Sequence, residues 1–221
     1  MTSPGRVRIG TWNLAGRWSP AQLDVLVAQD CDVWLLTEVR KDVRFPGYRP
    51  HVTTAEMARG RHWAGVFSRS PLTPLPDPHV ASAAAVVDGV TYCSSILPWR
   101  SCGPVPWGDG STAERTARTL DALIAALPRH DLVWGGDWNH SLVGSEWAGS
   151  KAGRVHIEAA LDAFGLQVTT RHLPHRIDGI ASIDHIAVPR EATVVNAAQV
   201  STVGPEGRLS DHDVYVVDHP S

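Results

Sequence analysis

Cysteine, lysine and long apolar runs are scarce in this sequence. Three cysteines, Cys31, Cys93 and Cys102, stand in 221 residues without metal-type pairing. That excludes a disulfide framework and a thiolate zinc site and points to a reduced, cytoplasmic setting. Lysine occurs twice against 18 arginines, and the formal net charge is -3. This balance excludes a strongly basic coat that binds nucleic acid through charge alone. It does not exclude a nuclease, because a bound cation can supply local positive charge. No apolar run reaches the ~18 residues that a membrane span needs. Met1-Thr2-Ser3-Pro4-Gly5-Arg6 is not followed by the apolar stretch of a signal peptide. Internal repeats, low-complexity linkers and a clear domain boundary are missing as well. With 43% hydrophobic residues, the length suits one domain over 1–221 with a large core. Residues 1–5 are expected as a disordered tail. No membrane span and no protein partner is indicated, and a monomer is expected.

Short strands and helices account for most of the rest. Residues 7–14 alternate apolar with small or polar residues and read as a strand ending near Asn13. Leu23, Leu26 and Val27 lie at helical spacing behind Ser19, a candidate N-cap, and Pro20, suited to a first helical position. Residues 32–39 form a second buried strand, closed by Glu38. From 47 to 97, short apolar runs alternate with Pro- and Gly-rich breaks, and Asp88-Gly89 signals a two-residue hairpin. An antiparallel meander is expected there. Residues 98–110 must be a loop. Helices are expected at 112–127 and 153–164, with Gly165 closing the second. Further strands are expected at 131–139, 168–173, 183–188, 192–200 and 214–217.

Polar groups gather where these strands end. Gly135-Gly136-Asp137-Trp138-Asn139 follows an apolar run, and in extended backbone Asp137 and Asn139 share a face. Alone, this pentapeptide reads as well as a polar turn. Ser182-Ile183-Asp184-His185 opens one late strand, and Ser210-Asp211-His212 precedes the last. Singly, each Asp or Ser is an ordinary turn residue, and with 11 histidines chance Asp-His pairs are expected. Together, Asn13, Glu38, Asp137, Asn139, Asp184 and Asp211 offer an oxygen-rich ligand set suited to Mg²⁺ or Mn²⁺ rather than zinc. A histidine beside a carboxylate adds an acid/base or phosphate-contacting group.

In order, Thr11-Trp12-Asn13, Leu35-Leu36-Thr37-Glu38, Gly135 to Asn139, Ser182 to His185 and Ser210-Asp211-His212 resemble the endonuclease/exonuclease/phosphatase superfamily of deoxyribonuclease I-like nucleases, AP endonucleases, inositol polyphosphate phosphatases and sphingomyelinases. The resemblance spans residues 7–217. It implies an α/β (α+β) fold, a four-layer α/β/β/α sandwich with the site at one edge of two packed sheets. By position it implies Glu38 as main metal carboxylate with Asn13 beside it, and Asp211 as a second metal-side carboxylate. Asp137 would orient or activate water, Asn139 would hold a phosphate oxygen, and His212 would contact the scissile phosphate with Asp184 fixing its ring. The implied activity is metal-dependent phosphoester hydrolysis of a phosphodiester, DNA or RNA among the candidates. A phosphomonoesterase on a small or lipid-borne phosphate, or a degenerate non-catalytic binding member, are the alternatives.

One position departs from the family pattern. Where many members carry His or Tyr, Cys93-Ser94-Ser95-Ile96-Leu97-Pro98 places Ile96, or Ser95 if the register shifts by one. Either Arg100, Trp99 or another loop residue then covers that role, or the enzyme is slower, or it is inactive. Among the nine tryptophans, Trp12, Trp34 and Trp134 are expected in the core. Trp99 and Trp138 are expected, with Arg100, to contact substrate, by stacking in the manner of single-strand-binding sites. Trp147 is expected to close a loop over the core. Arg115 and Arg118 read as a solvated helix face.

Overall fold

A computed structural model describes residues 5–204 and 207–220; the expected tail falls on positions 1–4, outside them, apart from Gly5. In chain order the elements are β1 (Arg6–Asn13), α1 (Pro20–Gln29), β2 (Val33–Arg40), β3 (Arg49–Val52), β4 (Glu56–Ala58), β5 (Arg61–Ser68), β6 (Leu72–Pro74), β7 (Ser82–Val87) and β8 (Val90–Ile96). They continue with α2 (Thr112–Ala126), β9 (Leu132–Asp137), α3 (Lys151–Phe164), β10 (Leu166–Val168), β11 (Asp184–Pro189), β12 (Asn196–Val200), β13 (Val203–Gly204), β14 (Gly207–Arg208) and β15 (Val214–Pro220).

The helix boundaries follow from capping chemistry. The Ser19 side chain accepts from the Gln22 amide, and Pro20 opens α1 where its missing N–H costs nothing. Ser111 and Glu114 form a reciprocal capping box on α2. Gly165, at φ 67°, ends α3 in a left-handed conformation that a Cβ would penalise.

Two large sheets result, ordered β12-β15-β1-β2-β5-β3 with β4 also on β5, and β10-β11-β9-β8-β7-β6, while β13 and β14 pair separately. Each large sheet contains one parallel pair. β1 and β2 are bridged by α1, β8 and β9 by α2, as a parallel pair requires a crossover. Strand alternation then sorts side chains into three apolar layers. Val33 and Leu35 join Ile9, Val66, Val133, Ile186 and Val217 between the sheets. Their neighbours Trp34 and Leu36 join Trp12 and Leu26 of α1 on one outer face. Trp134 packs with Leu120, Leu123, Ile157 and Phe164 of α2 and α3 on the other. The order is helix, sheet, sheet, helices, the four-layer sandwich.

Three expectations need correction. The meander at 47–97 is not one sheet: β3 to β5 belong to the first sheet and β6 to β8 to the second. The expected strand 168–173 is only β10, because the Thr170 hydroxyl accepts from the Ile186 amide and Leu173 N turns back to Thr170 O. The strand expected from 192 begins at Asn196, after Ala192 N closes a turn on Pro189 O. The hairpin at Asp88-Gly89 forms as expected, with φ values of 48° and 86°. No helix among the described residues is long and apolar enough to cross a membrane.

Candidate active site

The inter-sheet core ends in carboxylates. Along β1 the residues sharing the parity of Ile9 are Thr11 and Asn13; along β9 those sharing the parity of Val133 are Gly135 and Asp137; along β11 Asp184 shares the parity of Ile186. Since Ile9, Val133 and Ile186 lie between the sheets, the same alternation delivers Asn13, Asp137 and Asp184 to that layer's open end. Asp137 and Asp184 face each other across the β9–β11 ladder. Glu38 has the parity of outward-facing Trp34 and Leu36. Its φ of 53°, unusual for a non-glycine residue, breaks the alternation, and its carboxylate reaches Asn13. Asn139 also has φ 53°. Two site residues thus hold sparsely populated backbone conformations, a recurrent feature of functional sites.

Hydrogen bonds fix the remaining pieces. The Ser210 hydroxyl donates to the Asn13 carbonyl at 2.6 Å and accepts from the His212 amide at 3.1 Å. It therefore ties the His212 loop to the end of β1. Trp12 Nε1 and the Thr202 hydroxyl both donate to the His212 carbonyl. The Ser182 hydroxyl donates to the Asp184 carbonyl and accepts from the Asp184 amide. Both serines in the two Asp-His motifs are thus positioning groups.

A continuous polar chain results. Arg61 Nη1 donates to Glu38 Oε2 at 2.8 Å, and Asn13 Nδ2 donates to Glu38 Oε1 at 3.3 Å and to Asp137 Oδ2 at 2.9 Å. His212 Nε2 lies 3.9 Å from Asp137 Oδ2, and His212 Nδ1 donates to Asp184 Oδ2 at 2.7 Å. Asp184 Oδ1 is buried without a protein partner. Burial pushes Asp137 up to about 7, opposed by His212 and reinforced by Asp184. Burial alone would lower His212, but Asp184 and Asp137 override it and hold the ring up to about 10. The ring is an imidazolium at neutral pH. Asp137, Asp184 and His212 each bring one ligand-type atom within 4.8 Å of the others, a spacing that suits an acid–base unit while His212 is protonated and a metal ion only when the ring is neutral.

The remaining expected residues divide. Asn139 borders the site, with its amide on Asp137 Oδ1 at 3.1 Å and Nδ2 on the Leu97 carbonyl at 3.0 Å. Trp99, Arg100 and Asp211 line a cavity of about 410 Å³ beside Asn139 and His212. Arg100 is partly committed there, donating to the Gly149 and Glu146 carbonyls as a strut between loops. Asp211 is exposed on the cavity wall beside His212, and its backbone carbonyl accepts from Arg176. Trp138 must be corrected. It is fully buried and stacks on Trp134 with centroids 3.9 Å apart, so it is core and cannot meet substrate. Its parity, equal to that of Trp134, already carried that signal.

Ile96 and Ser95 are separated by the same logic. Ser95 faces the outer core and accepts from Trp134 Nε1. Ile96 pairs in register with Asp137 and shares a small apolar cluster with Trp63, Cys102 and Trp107. The departure from the family pattern therefore belongs to Ile96. Arg115 and Arg118 are not a solvated face: they donate to carbonyls of the 102–109 loop. Trp147 closes its loop as expected, with Nε1 on the Ala181 carbonyl, yet its ring also lines the cavity. Arg61, His175 and Arg176 went unnoticed in the sequence. None sits in a motif, and they reach the site only through sheet pairing and loop packing.

The sequence profile described as Endonuclease/Exonuclease/phosphatase family matches residues 10–212. None of the curated proteins searched matches the chain. Among solved structures, the endonuclease domain of TRAS1, a telomere-specific non-LTR retrotransposon, is similar at 15% identity and a TM-score of 0.72, covering 98% of this chain and 99% of that one. An AP endonuclease from Archaeoglobus fulgidus is similar at 15% identity and a TM-score of 0.72, with 96% and 98% covered. The 3'-5' exonuclease NExo from Neisseria meningitidis is similar at 19% identity and a TM-score of 0.72, with 97% and 100% covered. At these identities the likeness shows the shared fold.

Proposed function

The chain belongs to the endonuclease/exonuclease/phosphatase family, and from that premise we propose that it is a divalent-metal-dependent phosphodiesterase, most simply a nuclease. The observation that carries this reading is the His212 ring held between Asp184 and Asp137 at the edge of a cavity, two carboxylates that favour its protonated form. A phosphodiester is anionic. Its hydrolysis needs donors on the non-bridging oxygens, an aligned water and a place for that water's proton.

His212 supplies the donor, with Asp184 fixing the ring and favouring its charged form. Asp137 accepts the water's proton. Both its oxygens are already oriented, Oδ1 by the Asn139 amide and Oδ2 by Asn13, and its elevation to about 7 suits it to act as base near neutrality. Asn139 keeps one N–H beyond its bond to Leu97 for a phosphate oxygen. Glu38 and Asp137 offer carboxylate oxygens that fit Mg²⁺ or Mn²⁺, with Asn13 bridging them through Nδ2 while its Oδ1 accepts from the Ala15 amide, and the Glu38 side chain is 21% exposed, open to an entering cation. Such a cation, when bound, supplies charge neutralisation at the phosphate and lowers the pKa of coordinated water. Asp211, exposed on the cavity wall, is left out of this set.

The cavity supports a nucleic-acid substrate. Trp99, Trp147 and His175 give it aromatic walls; burial holds His175 down to about 4, so that ring is neutral. Arg100 and Arg176 add positive charge. A second reading, phosphomonoester hydrolysis at a nucleic-acid end, is favoured by those same two arginines, which suit a dianion. A similar structure, that of the 3' phosphatase NExo from Neisseria, is bound to a product DNA hairpin.

The test is turnover of bis-p-nitrophenyl phosphate, p-nitrophenyl phosphate, and single- and double-stranded DNA with Mg²⁺ or Mn²⁺. Diester cleavage should cease in EDTA, return with the cation, and require more cation in Glu38→Gln. Undiminished turnover in EDTA would remove the metal from the reading. Turnover of the monoester alone would favour the second reading, and none on any substrate would leave a binding protein.

A further inference from the structure

We propose that Arg61 competes with the divalent cation for Glu38 and thereby sets the cation affinity of the site; this rests on the metal-dependent reading above. Arg61 opens β5, and Val39 and Arg40 beside Glu38 pair with His62 and Arg61 across the β2–β5 ladder. The guanidinium Nη1 lies 2.8 Å from Glu38 Oε2, while Asn13 holds the other oxygen, Oε1. Both Glu38 oxygens thus carry a donor already.

Arg61 is fitted into its place. A Cβ on Gly16, which stands at φ 62°, would come within 2.6 Å of both Arg61 Cδ and Nη1. A side chain at Gly16 would therefore require the guanidinium to shift from its place beside the end of β1. The ion pair is only partly exposed, at 30% for the Arg61 side chain and 21% for Glu38. It is therefore less screened than a surface pair, and still open enough to exchange.

The electrostatic logic is direct. Glu38, Asp137 and Asp184 bring three carboxylates to one end of the inter-sheet layer. His212 balances Asp184 and Asp137 from one side, and Arg61 balances Glu38 from the other. A divalent cation taking Glu38 must displace this guanidinium or sit against a like charge, and either weakens its binding. Once displaced, the guanidinium is a free donor beside the site, available to an anionic substrate.

Two readouts independent of turnover test this. Mn²⁺ binding is measured by the electron paramagnetic resonance of free Mn²⁺ for the unaltered chain, Arg61→Gln, Arg61→Lys and Glu38→Gln. Arg61→Gln removes the charge and should bind Mn²⁺ about fivefold or more tightly, the scale of a partly screened ion pair. Arg61→Lys keeps the charge and should stay within about twofold of the unaltered chain. Glu38→Gln should bind more weakly. Thermal unfolding supplies the second readout. Arg61→Gln should melt lower in EDTA, and saturating Mn²⁺ should raise its Tm more than that of the unaltered chain. Equal or weaker Mn²⁺ binding by Arg61→Gln, with Glu38→Gln still impaired, would overturn the role of Arg61 and leave the metal reading standing. No Mn²⁺ binding by the unaltered chain or Arg61→Gln would overturn both.

Discussion

Ile96 shows how one side chain can redirect a site. It occupies the strand position paired with Asp137, beside the phosphate site proposed above. Its side chain is 1% exposed in an apolar cluster with Trp63, Ala81, Cys102 and Trp107. A polar replacement would therefore enter packed indole rings before it met substrate. Ile96→Ala should destabilise the fold by about 2–4 kcal/mol through lost burial and a residual cavity. Ile96→His should also destabilise, since a buried ring nitrogen there finds no partner, and should leave turnover no higher. Urea unfolding and bis-p-nitrophenyl phosphate turnover check both. A stable Ile96→His with raised kcat would mean that the side chain at 96 points at the phosphate after all. Arg61, Arg100 and Arg176 bring cationic donors towards the site from other elements.

At the scale of the element, β9 is the strand on which the site depends. It runs parallel to β8 and antiparallel to β11, buried along its whole length. Gly135 and Gly136 allow that enclosure. At Gly136 φ is 122°, and a Cβ would stand 2.2 Å from the Ser95 carbonyl oxygen of β8. The clash is with backbone, which cannot step aside without breaking the ladder. Gly136→Ala should thus cost more than about 2 kcal/mol and displace Asp137, lowering activity beyond what the stability loss explains. Urea denaturation monitored by tryptophan fluorescence measures the first effect, and turnover at a temperature where the variant remains folded measures the second. Unchanged stability would show that β9 and β8 can separate locally. Gly153, on α3, has an analogous but softer constraint, because a Cβ there would meet the His140 ring, a side chain, rather than backbone.

For the whole molecule, clustering acids at one end of a core has a pH consequence. Asp137 is held up to about 7 against an ordinary 3.8, and His212 up to about 10 against an ordinary 6.5. Both groups bind protons more tightly in the fold than in the unfolded chain. The Asp137 contribution is intact below about 4 and is lost as pH rises through 7. The His212 contribution is intact below about 6.5 and is lost as pH rises through 10. The two act in the same direction, so the cation-free protein should be less stable at pH 9 than at pH 5. Urea midpoints in EDTA at pH 5, 7 and 9 should fall in that order, and His212→Gln should flatten the upper half of the trend. A midpoint that rises from pH 7 to 9 would contradict the assignment of a protonated His212.

The sequence by itself determined the helices, their caps and most of the long strands, because alternation, Ser19-Pro20, the 112–127 stripe and Gly165 are local signals with local causes. The sheet to which each strand of 47–97 belongs and the extents of β10 and β12 were not local. It also determined the carboxylate and histidine positions at strand ends, since Asn13, Glu38, Asp137, Asp184 and His212 stand in short motifs whose order survives in the chain. Tertiary structure alone decided which of the flanking residues join them. Trp138 was withdrawn into the core by its parity with Trp134 and the helices above it. Asp211 was left in solvent by the turn that points His212 inward. Arg61 was brought to Glu38 by an antiparallel ladder between residues 23 positions apart. The division has one physical reason: backbone preference and capping act over a few residues, whereas the approach of a charged side chain to a site depends on sheet register and loop packing, which form only when distant segments meet.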